Sequence, residues 1–352
     1  MAIHSSKRMA KCIGFAPVQP LEPRLLFTAV PSFIVDSSAT FSDVVLFDLH
    51  TNMRPDIPAT LVQPEVHGFV PFGPNFTGGI NSAVGDINAD GIPDVTLAPA
   101  SKGKPLIQVY NAVTGVLERS FFAYSTNFWG GVSVASADIN SDGKADIITA
   151  PASNGVPLVN VYDGASGRLI RSFYAYSPNF QGGATVAAAD VNDDGKADII
   201  TGTGFGGVPL VNIFSGTTNA LLGNFYAFDP RFRGGVVLAA GDMEGNGHAD
   251  IAVGVGFGGN GNIRVFSGTN LSQRFNVSSV YSYGVSIALT DYDGDGLPDL
   301  VTAHKLTPYG TNGGGIYKGT NFAGLGGWGD ITSFEVYNPT SGDLISGWTA
   351  PP

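Results

Sequence analysis

A nine-residue acidic segment occurs five times in this chain. It reads DINADGIPD at 86–94, DINSDGKAD at 138–146, DVNDDGKAD at 190–198, DMEGNGHAD at 242–250 and DYDGDGLPD at 291–299. The first residues of successive copies lie 52, 52, 52 and 49 positions apart. Self-similarity at a fixed period of this length is typical of stacked or radial repeat arrays. The spacing therefore predicts one array of similar units.

Each unit divides into four short strands. In one copy these are VSVASAD, DIITA, PLVNVYD and RLIRSFYAY, separated by the acidic segment, a Gly/Pro stretch and the turn DGASG. The chain of 352 residues holds 49 Gly and 22 Pro, and it shows no sustained apolar period of a helix. Four strands in a unit of about 40–50 residues indicate a propeller blade. We expect an all-β fold, a β-propeller of four-stranded blades.

The side chains also predict the radial order of the strands. First strands are rich in small residues, such as VASA at 134–137 and VAAA at 186–189, which suit a crowded axis. Last strands carry large aromatics that we expect to fill the space between neighbouring sheets, with ligand binding as the alternative. They are Phe121, Phe122, Tyr124, Phe173, Tyr174, Tyr176, Phe225, Tyr226 and Phe228. The glycine pairs of NFWGG, NFQGG and RFRGG are expected to permit the return from rim to axis.

The first unit is incomplete. Residues 44–79 look like the third and fourth strands of one more blade, and FIV at 33–35 is a candidate to complete it. The sequence thus predicts five full blades and a partial N-terminal blade, and leaves five or six blades open. We assign residues 1–30 to a disordered export or sorting segment and 31–352 to the propeller. A Gly- and aromatic-rich insertion at 304–330 interrupts the last repeat.

The acidic segment has the donor pattern of a calcium loop. Oxygen donors at alternating positions and a Gly at position 6 let a short loop curl around one ion, and calcium takes about 6–8 oxygen ligands. Positions 1, 3, 5 and 9 hold 16 of the 29 acidic residues of a chain whose net charge is −11. Magnesium prefers fewer protein ligands, and zinc would require Cys or His. The alternative to a calcium loop is an Asx-turn hairpin without an ion.

The flanking sequence separates these segments from helix-loop-helix calcium sites. Such a site carries Glu at position 12. Here that position holds Leu97, Thr149, Thr201, Val253 and Thr302. The chain leaves the segment through strand-like sequence such as DIIT. We therefore expect a calcium loop that joins two strands.

The predicted ligands are the side chains at positions 1, 3, 5 and 9 and the backbone carbonyl at position 7, for up to five Ca²⁺ ions. In chain order they are Asp86, Asn88, Asp90, Ile92, Asp94, Asp138, Asn140, Asp142, Lys144, Asp146, Asp190, Asn192, Asp194, Lys196, Asp198, Asp242, Glu244, Asn246, His248, Asp250, Asp291, Asp293, Asp295, Leu297 and Asp299. The fifth loop, with four carboxylates, is expected to bind tightest. The fourth, with Glu244 and Asn246, is expected to bind weakest. The His248 side chain is expected to be solvated.

These residues resemble the FG-GAP/VCBS repeats, as in the propeller of integrin α subunits and many bacterial surface proteins. The similar features are the ADIN-type acidic loops, GFGG at 204–207 and 256–259, and the blade-length period, over about 44–348. The resemblance implies a calcium-stabilised propeller, often with an adhesion or ligand-binding role. The period is short for an integrin.

The N-terminal segment points to export. LEPRLLF at 21–27 resembles the LEPR-type motif of exported bacterial proteins, with Leu21, Glu22, Pro23, Arg24, Leu25 and Leu26 as the matching residues. The resemblance implies an envelope or extracellular location, and a disordered start without a role is the alternative. The one cysteine, Cys12, excludes an intrachain disulfide. No apolar run is long enough for a transmembrane helix.

The residues favour binding over catalysis. The five His, at 4, 50, 67, 248 and 304, form no metal-binding pair, and the chain has no nucleophile elbow or P-loop. The acidic balance argues against nucleic acid as a partner. We expect a protein- or glycan-binding or adhesion module rather than an enzyme. The alternatives are a secreted polysaccharide lyase or hydrolase and an architectural surface-layer part. The aromatics in 304–330 are expected to contact a ligand. The alternative is an insertion or blade-closing loop that has no binding role.

Overall fold

The structure is a computed structural model that describes residues 71–112, 114–278, 285–291, 295–304 and 333–349, together with strand backbone at 33–37, 42–46 and 67–69. Every regular element in these ranges is a β-strand, which confirms the all-β prediction. No helix in the described ranges is long and apolar enough to cross a membrane. The predicted export segment 1–30 lies outside the described residues, and so does the insertion 304–330 beyond the backbone of its first residue.

The strands form one three-stranded sheet and five four-stranded sheets. The N-terminal sheet contains β1 (Phe33–Ser37), β2 (Ser42–Leu46) and β3 (His67–Phe69). Blade 1 contains β4 (Ile80–Gly85), β5 (Asp94–Pro99), β6 (Leu106–Asn111) and β7 (Leu117–Phe122). Blade 2 contains β8 (Val132–Ala137), β9 (Asp146–Pro151), β10 (Leu158–Tyr162) and β11 (Leu169–Tyr174).

The remaining blades repeat this order. Blade 3 contains β12 (Ala184–Ala189), β13 (Asp198–Thr203), β14 (Leu210–Phe214) and β15 (Leu221–Tyr226). Blade 4 contains β16 (Val236–Gly241), β17 (Asp250–Val255), β18 (Asn262–Phe266) and β19 (Gln273–Ser278). Blade 5 contains β20 (Ser286–Thr290), β21 (Asp299–His304), β22 (Ser333–Tyr337) and β23 (Leu344–Thr349). In every blade the strands are antiparallel and lie in chain order, which confirms the four-strand division of the repeat.

The first strands of the blades define the axis of the propeller. β4, β8, β12, β16 and β20 lie against one another in sequence, and each of the last four also contacts the second strand of the preceding blade. This inner position confirms the prediction from their small residues. Each acidic loop joins a first strand to a second, so antiparallel pairing places the five loops at one end of the propeller. We call this the acidic end.

The core lies between the blades. The second strands β5, β9, β13 and β17 are buried at every residue because a neighbouring blade covers each face. In β9, Ile147 packs with Val109 of blade 1, whereas the next residue, Ile148, packs with Val186 of blade 3. Successive side chains of a strand point to opposite faces, so a strand between two blades is apolar throughout. No blade therefore completes its own core.

Aromatic pairs and polar staples join successive blades. Ring centroids lie 4.7 Å apart for Phe121 and Tyr162 and 4.3 Å apart for Phe225 and Phe266, each pair spanning two blades. The Asn160 side-chain amide donates to the Ala123 carbonyl of the preceding blade at 3.1 Å. The predicted role of the last-strand aromatics is confirmed for Phe121 and Phe225.

Three of the nine aromatics do not fill the space between blades. Phe122, Tyr174 and Tyr226 are exposed at the outer edge, and for them the prediction was wrong. Exposed and half-buried positions alternate along the second half of the last strand, so neighbouring aromatics point in opposite directions. The sequence places two aromatics in succession, and only one of them can face the next blade.

The return segments need glycine for both shape and space. Gly131 has a φ of 77°, and a Cβ at this residue would lie 1.9 Å from the Ala100 carbonyl oxygen. At Gly130 a Cβ would lie 1.9 Å from the Ser153 carbonyl oxygen. The segment therefore passes directly against two turns of neighbouring strands. This confirms the prediction made from the paired glycines.

The buried hydroxyl of Tyr124 provides a test of the interblade contacts. It donates to the Leu158 carbonyl at 2.9 Å and lies 3.0 Å from Thr149 Oγ1. We expect Tyr124→Phe to lower the free energy of unfolding by about 1 kcal/mol, because a buried carbonyl loses its donor. The exposed Tyr174 is the matched control, and Tyr174→Phe should stay within about 0.5 kcal/mol of the unmodified chain. Equal effects in urea unfolding would contradict the packing described here.

Candidate functional site

The acidic loops share one internal hydrogen-bond pattern. In the second loop, Asp142 N–H donates to Asp138 Oδ1 at 3.2 Å and to Asn140 Oδ1 at 2.9 Å. Gly143 N–H donates to Asp138 Oδ2 at 2.9 Å. The first and third loops repeat these contacts. The side-chain oxygens of positions 1 and 3 therefore converge on a single amide, on the inner side of the curled loop.

Two left-handed residues produce the curl. Position 6 is a glycine with a φ of 80–90° in the loops of Gly91, Gly143, Gly195, Gly247 and Gly296. Position 4 is also left-handed, with φ of 61° at Ala89 and 63° at Ser141. A non-glycine residue in this region costs roughly 1–3 kcal/mol and persists only where its surroundings impose it. The loop hydrogen bonds impose it here.

The position-9 carboxylate lies beneath the loop. Asp146 is fully buried, and its Oδ2 accepts Ile139 N–H and Asn140 N–H, both at 3.1 Å. Its Oδ1 accepts Gly164 N–H, in the turn between β10 and β11, at 3.0 Å. Asp198 makes the same contacts with Val191 and Gly216. Sequence reasoning missed this second role: the residue clamps the start of the loop to a neighbouring turn.

The clamp explains a recurring glycine in that turn. A Cβ at Gly164 would lie 1.9 Å from the Ala145 carbonyl oxygen, so the turn must press directly against the loop. Gly216 and Gly268 stand in equally tight places in blades 3 and 4. Blade 1 has Ala112 at this point, whose N–H bonds to the Pro93 carbonyl instead. Among the described residues, Asp94 Oδ1 is then buried without a hydrogen-bond donor.

The pKa values follow the number of donors. Burial raises the pKa of Asp94 to about 7, opposed by the hydrogen bond from Ile87 and reinforced by the charges of Glu118, Asp90 and Asp86. Burial raises the pKa of Asp146 to about 6, where three backbone N–H groups oppose it. A raised pKa in a carboxyl group means that its charge is poorly compensated. A bound cation would supply that compensation.

The loops also contact one another around the axis. Ala145 N–H in the second loop donates to the Asp86 carbonyl of the first at 2.8 Å, and Ala249 N–H in the fourth donates to the Asp190 carbonyl of the third at 2.7 Å. His248 Nδ1 lies 2.9 Å from the Val191 carbonyl oxygen. The prediction of a solvated His248 side chain was therefore wrong. The ring is half-buried because the fourth loop packs against the third.

A basic residue outside the fourth loop pairs with two of its carboxylates, and the sequence analysis did not identify it. Arg274, in β19, lies 2.6 Å from Asp250 and 2.7 Å from Glu244. Its equivalent in blade 1 is Glu118, whose carboxylate accepts the Asn88 side-chain amide at 3.2 Å. The sequence signal that could have identified Arg274 is its position. It is the second residue of the last strand, and in blades 1 and 4 that residue contacts the acidic loop of its own blade.

The structure describes the predicted ligands except Asp293. In the fifth loop, Gly296 N–H donates to Asp291 Oδ2 at 3.0 Å and Leu297 N–H to Asp295 Oδ1 at 2.8 Å. Asp299 at position 9 is buried. Within the described ranges, no group of three or more Asp, Glu, His or Cys side chains takes the arrangement of a metal centre. Calcium ligation by these residues stays a prediction.

Comparison with known proteins agrees with the repeat. The sequence profile of the FG-GAP-like repeat family matches residues 86–149, 138–201 and 242–302, just over half of the chain. The chain belongs to this family.

Two solved structures are similar to this chain at low identity. The first is the crystal structure of rhamnogalacturonan lyase YesW, at 13% identity and a TM-score of 0.43, with 89% of this chain and 60% of that chain covered. The second is Bacillus licheniformis rhamnogalacturonan lyase PL11, at 14% identity and a TM-score of 0.45, with 92% of this chain and 69% of that chain covered.

The clamp role of position 9 is testable without a metal. Asp146→Ala leaves the N–H groups of Ile139, Asn140 and Gly164 buried without an acceptor, and we expect a loss of about 3 kcal/mol or more in the free energy of unfolding. The matched variant is Asp142→Ala, because Asp142 is exposed and, among the described residues, its carboxylate accepts only the Lys144 amide, at 3.0 Å. It should cost less than about 1 kcal/mol. The measurement is urea unfolding of both variants in chelator, and comparable losses would refute the clamp.

Proposed function

We propose that this protein is a calcium-stabilised extracellular β-propeller that acts as a protein- or glycan-binding module. The proposal of calcium binding rests on one observation in the first three loops. In each of them, side-chain oxygens of positions 1 and 3 accept a hydrogen bond from the same backbone amide. Such convergence places side-chain oxygens together without a basic residue between them. It supports a cation on the inner side of each of these loops.

The chemistry of the donors fits calcium. In the second loop, Asp138, Asn140, Asp142, the Lys144 carbonyl and Asp146 would hold the ion, and the first, third and fifth loops offer the equivalent residues. All of these donors are oxygens, which calcium accepts in flexible geometry. Positions 3 to 6 of the second loop are exposed, so water can complete the ligand set. A bound ion would supply positive charge directly beside the carboxylates of each loop.

The opposite end of the propeller has a different chemistry. Antiparallel pairing brings the turns between second and third strands, and the return segments, to this end, which we call the aromatic end. Trp129, Phe205 and Phe257 are about half exposed there, and the two Phe rings lie 6.1 Å apart, edge to face. Exposed aromatics supply much of the contact energy of protein interfaces. They support a ligand-binding role for this end.

The last blade adds to the aromatic end. β21 ends and β22 begins there, so the segment between them, which includes 304–330, is attached to the same end as Phe205 and Phe257. Its Tyr309, Tyr317, Phe322 and Trp328 are further aromatics in the sequence. The LEPR-type motif at 21–26 supports the extracellular location. The secreted polysaccharide-active enzyme remains the alternative, and the side chains of His67 and His304 that it would use lie outside the described residues.

Calcium stabilisation is tested by thermal unfolding and calorimetry. We expect several Ca²⁺ ions to bind and to raise the unfolding temperature relative to chelator, because a ligand at 100 times its Kd stabilises the folded state by about 2.7 kcal/mol per site. Asp138→Asn should reduce the stoichiometry by one ion, since position 1 supplies two loop-facing oxygens. Magnesium at the same concentration is the control ion. An unchanged melting curve and no heat of binding would refute the calcium proposal.

The binding face is tested on arrays of glycans and of extracellular proteins. We expect Phe205→Ala with Phe257→Ala to reduce retention on the bound ligand by roughly tenfold or more, because aromatic anchors dominate interfaces. The control is Tyr174→Ala with Tyr226→Ala, which removes exposed rings from the outer strands instead. Circular dichroism verifies that both double variants are folded. The proposal would be overturned if the two double variants lost ligand binding to the same extent, or if the protein degraded a polysaccharide on the array.

A further inference from the structure

The fourth acidic loop has an arginine from the last strand of its own blade in contact with two of its carboxylates. The Arg274 guanidinium donates from Nη1 to Asp250 Oδ2 at 2.6 Å and lies 2.7 Å from Glu244 Oε1 through Nη2. The Arg274 side chain is only 10% exposed, and Asp250 is fully buried. Glu244 and Asp250 occupy positions 3 and 9, two of the positions expected to hold calcium. The guanidinium therefore contacts the groups that a metal would need.

No other blade has a basic residue at this position. The second residue of the last strand is Glu118, Ile170, Leu222, Arg274 and Ile345 in blades 1 to 5. The fourth loop is also the one in which position 5 is the neutral Asn246. Glu244 at position 3 keeps the number of carboxylates at the ligand positions at three, as in the first three loops, so the change in this repeat is the added cation. The Arg274 charge beside two of these carboxylates lowers the attraction of this loop for a divalent ion.

We infer that Arg274 is a built-in counter-ion that occupies the place of calcium in the fourth loop, which therefore takes no metal. The inference rests on the proposed function, since it concerns which loops bind. Arginine suits the role because its planar guanidinium presents several donors at fixed angles and stays charged. Removing it from two carboxylates would leave a buried charge unpaired, which is strongly unfavourable. Calcium in this loop would have to displace it.

A third contact shows that the guanidinium also joins two blades. Arg274 Nη2 donates to the Pro339 carbonyl in blade 5 at 3.1 Å. Pro339 stands where blades 2 to 4 have the glycine that donates to the position-9 carboxylate, and proline has no N–H. The Arg274 side chain thus links the fourth loop to a turn that cannot make the usual contact. The junction of blades 4 and 5 is held in this way without a metal.

The test compares Arg274→Gln with Arg264→Gln. Arg264 is a matched control because it also lies between blades, donating to the Ala227 carbonyl at 2.9 Å, but pairs with no carboxylate among the described residues. Calorimetry gives the calcium stoichiometry, and thermal unfolding is followed in chelator and in excess calcium. We expect Arg274→Gln to bind one more ion than the unmodified chain and to show a larger calcium-induced rise in melting temperature. Arg264→Gln should keep the original stoichiometry.

The outcomes separate this inference from the calcium proposal. If the unmodified chain binds calcium but Arg274→Gln gains no ion, the inference is overturned and the calcium proposal survives. If only Arg274→Gln binds calcium, the proposal fails, whereas the role of Arg274 stands. If neither binds, both are overturned.

A second pair of variants keeps the inference testable when Arg274→Gln does not fold. Asp242→Asn changes position 1 of the fourth loop, and Asp138→Asn makes the same change in the second loop. We expect Asp138→Asn to lose one ion and Asp242→Asn to lose none. Loss of an ion from Asp242→Asn would show that the fourth loop binds calcium and would overturn the inference.

Discussion

The buried carboxylate at position 9 of each acidic loop is the contact on which the blade depends. In blade 2, the Asp146 side chain accepts N–H groups from the start of its own loop and from Gly164 in the next turn. One side chain thereby connects the first, second and third strands at the acidic end. A buried carboxylate is tolerated only when such donors surround it. Where a donor is missing, as for Asp94, burial leaves the pKa higher.

The blades depend on one another as much as on their own hydrogen bonds. A second strand such as β9 has one face in each of two interblade clusters, so a single repeat cannot bury it. The acidic loops are packed in the same serial way, with the Ala145 amide on the Asp86 carbonyl. Within a loop the carboxylates lie close to one another, and the charges of Asp90 and Asp86 help to raise the pKa of Asp94. Positive charge beside these carboxylates would relieve the repulsion: Arg274 supplies it in the fourth loop, and calcium would supply it at the proposed sites.

The two ends of the propeller have different proposed roles. The acidic end concentrates carboxylates and closes each blade, whereas the aromatic end exposes Trp129, Phe205 and Phe257. A rigid scaffold with ligand-contacting loops at one end is a common arrangement for binding proteins. Each match to the FG-GAP-like repeat family begins at the first residue of an acidic loop and continues through the strands that follow it. The family by itself names no ligand.

The repeat, the four strands of each blade and the inner position of the small residues can all be predicted from the amino-acid sequence. Local pattern is sufficient for these features, because alternation, turn residues and a fixed period act within one unit. Three features become visible only in the folded chain: Tyr174 is exposed while Phe173 packs, Asp146 clamps a distant turn, and Arg274 contacts the fourth loop. Each of these depends on a neighbour 18 or more residues away, or on which face of a strand meets the next blade. Such contacts follow from the ring arrangement of the blades, which no single repeat contains.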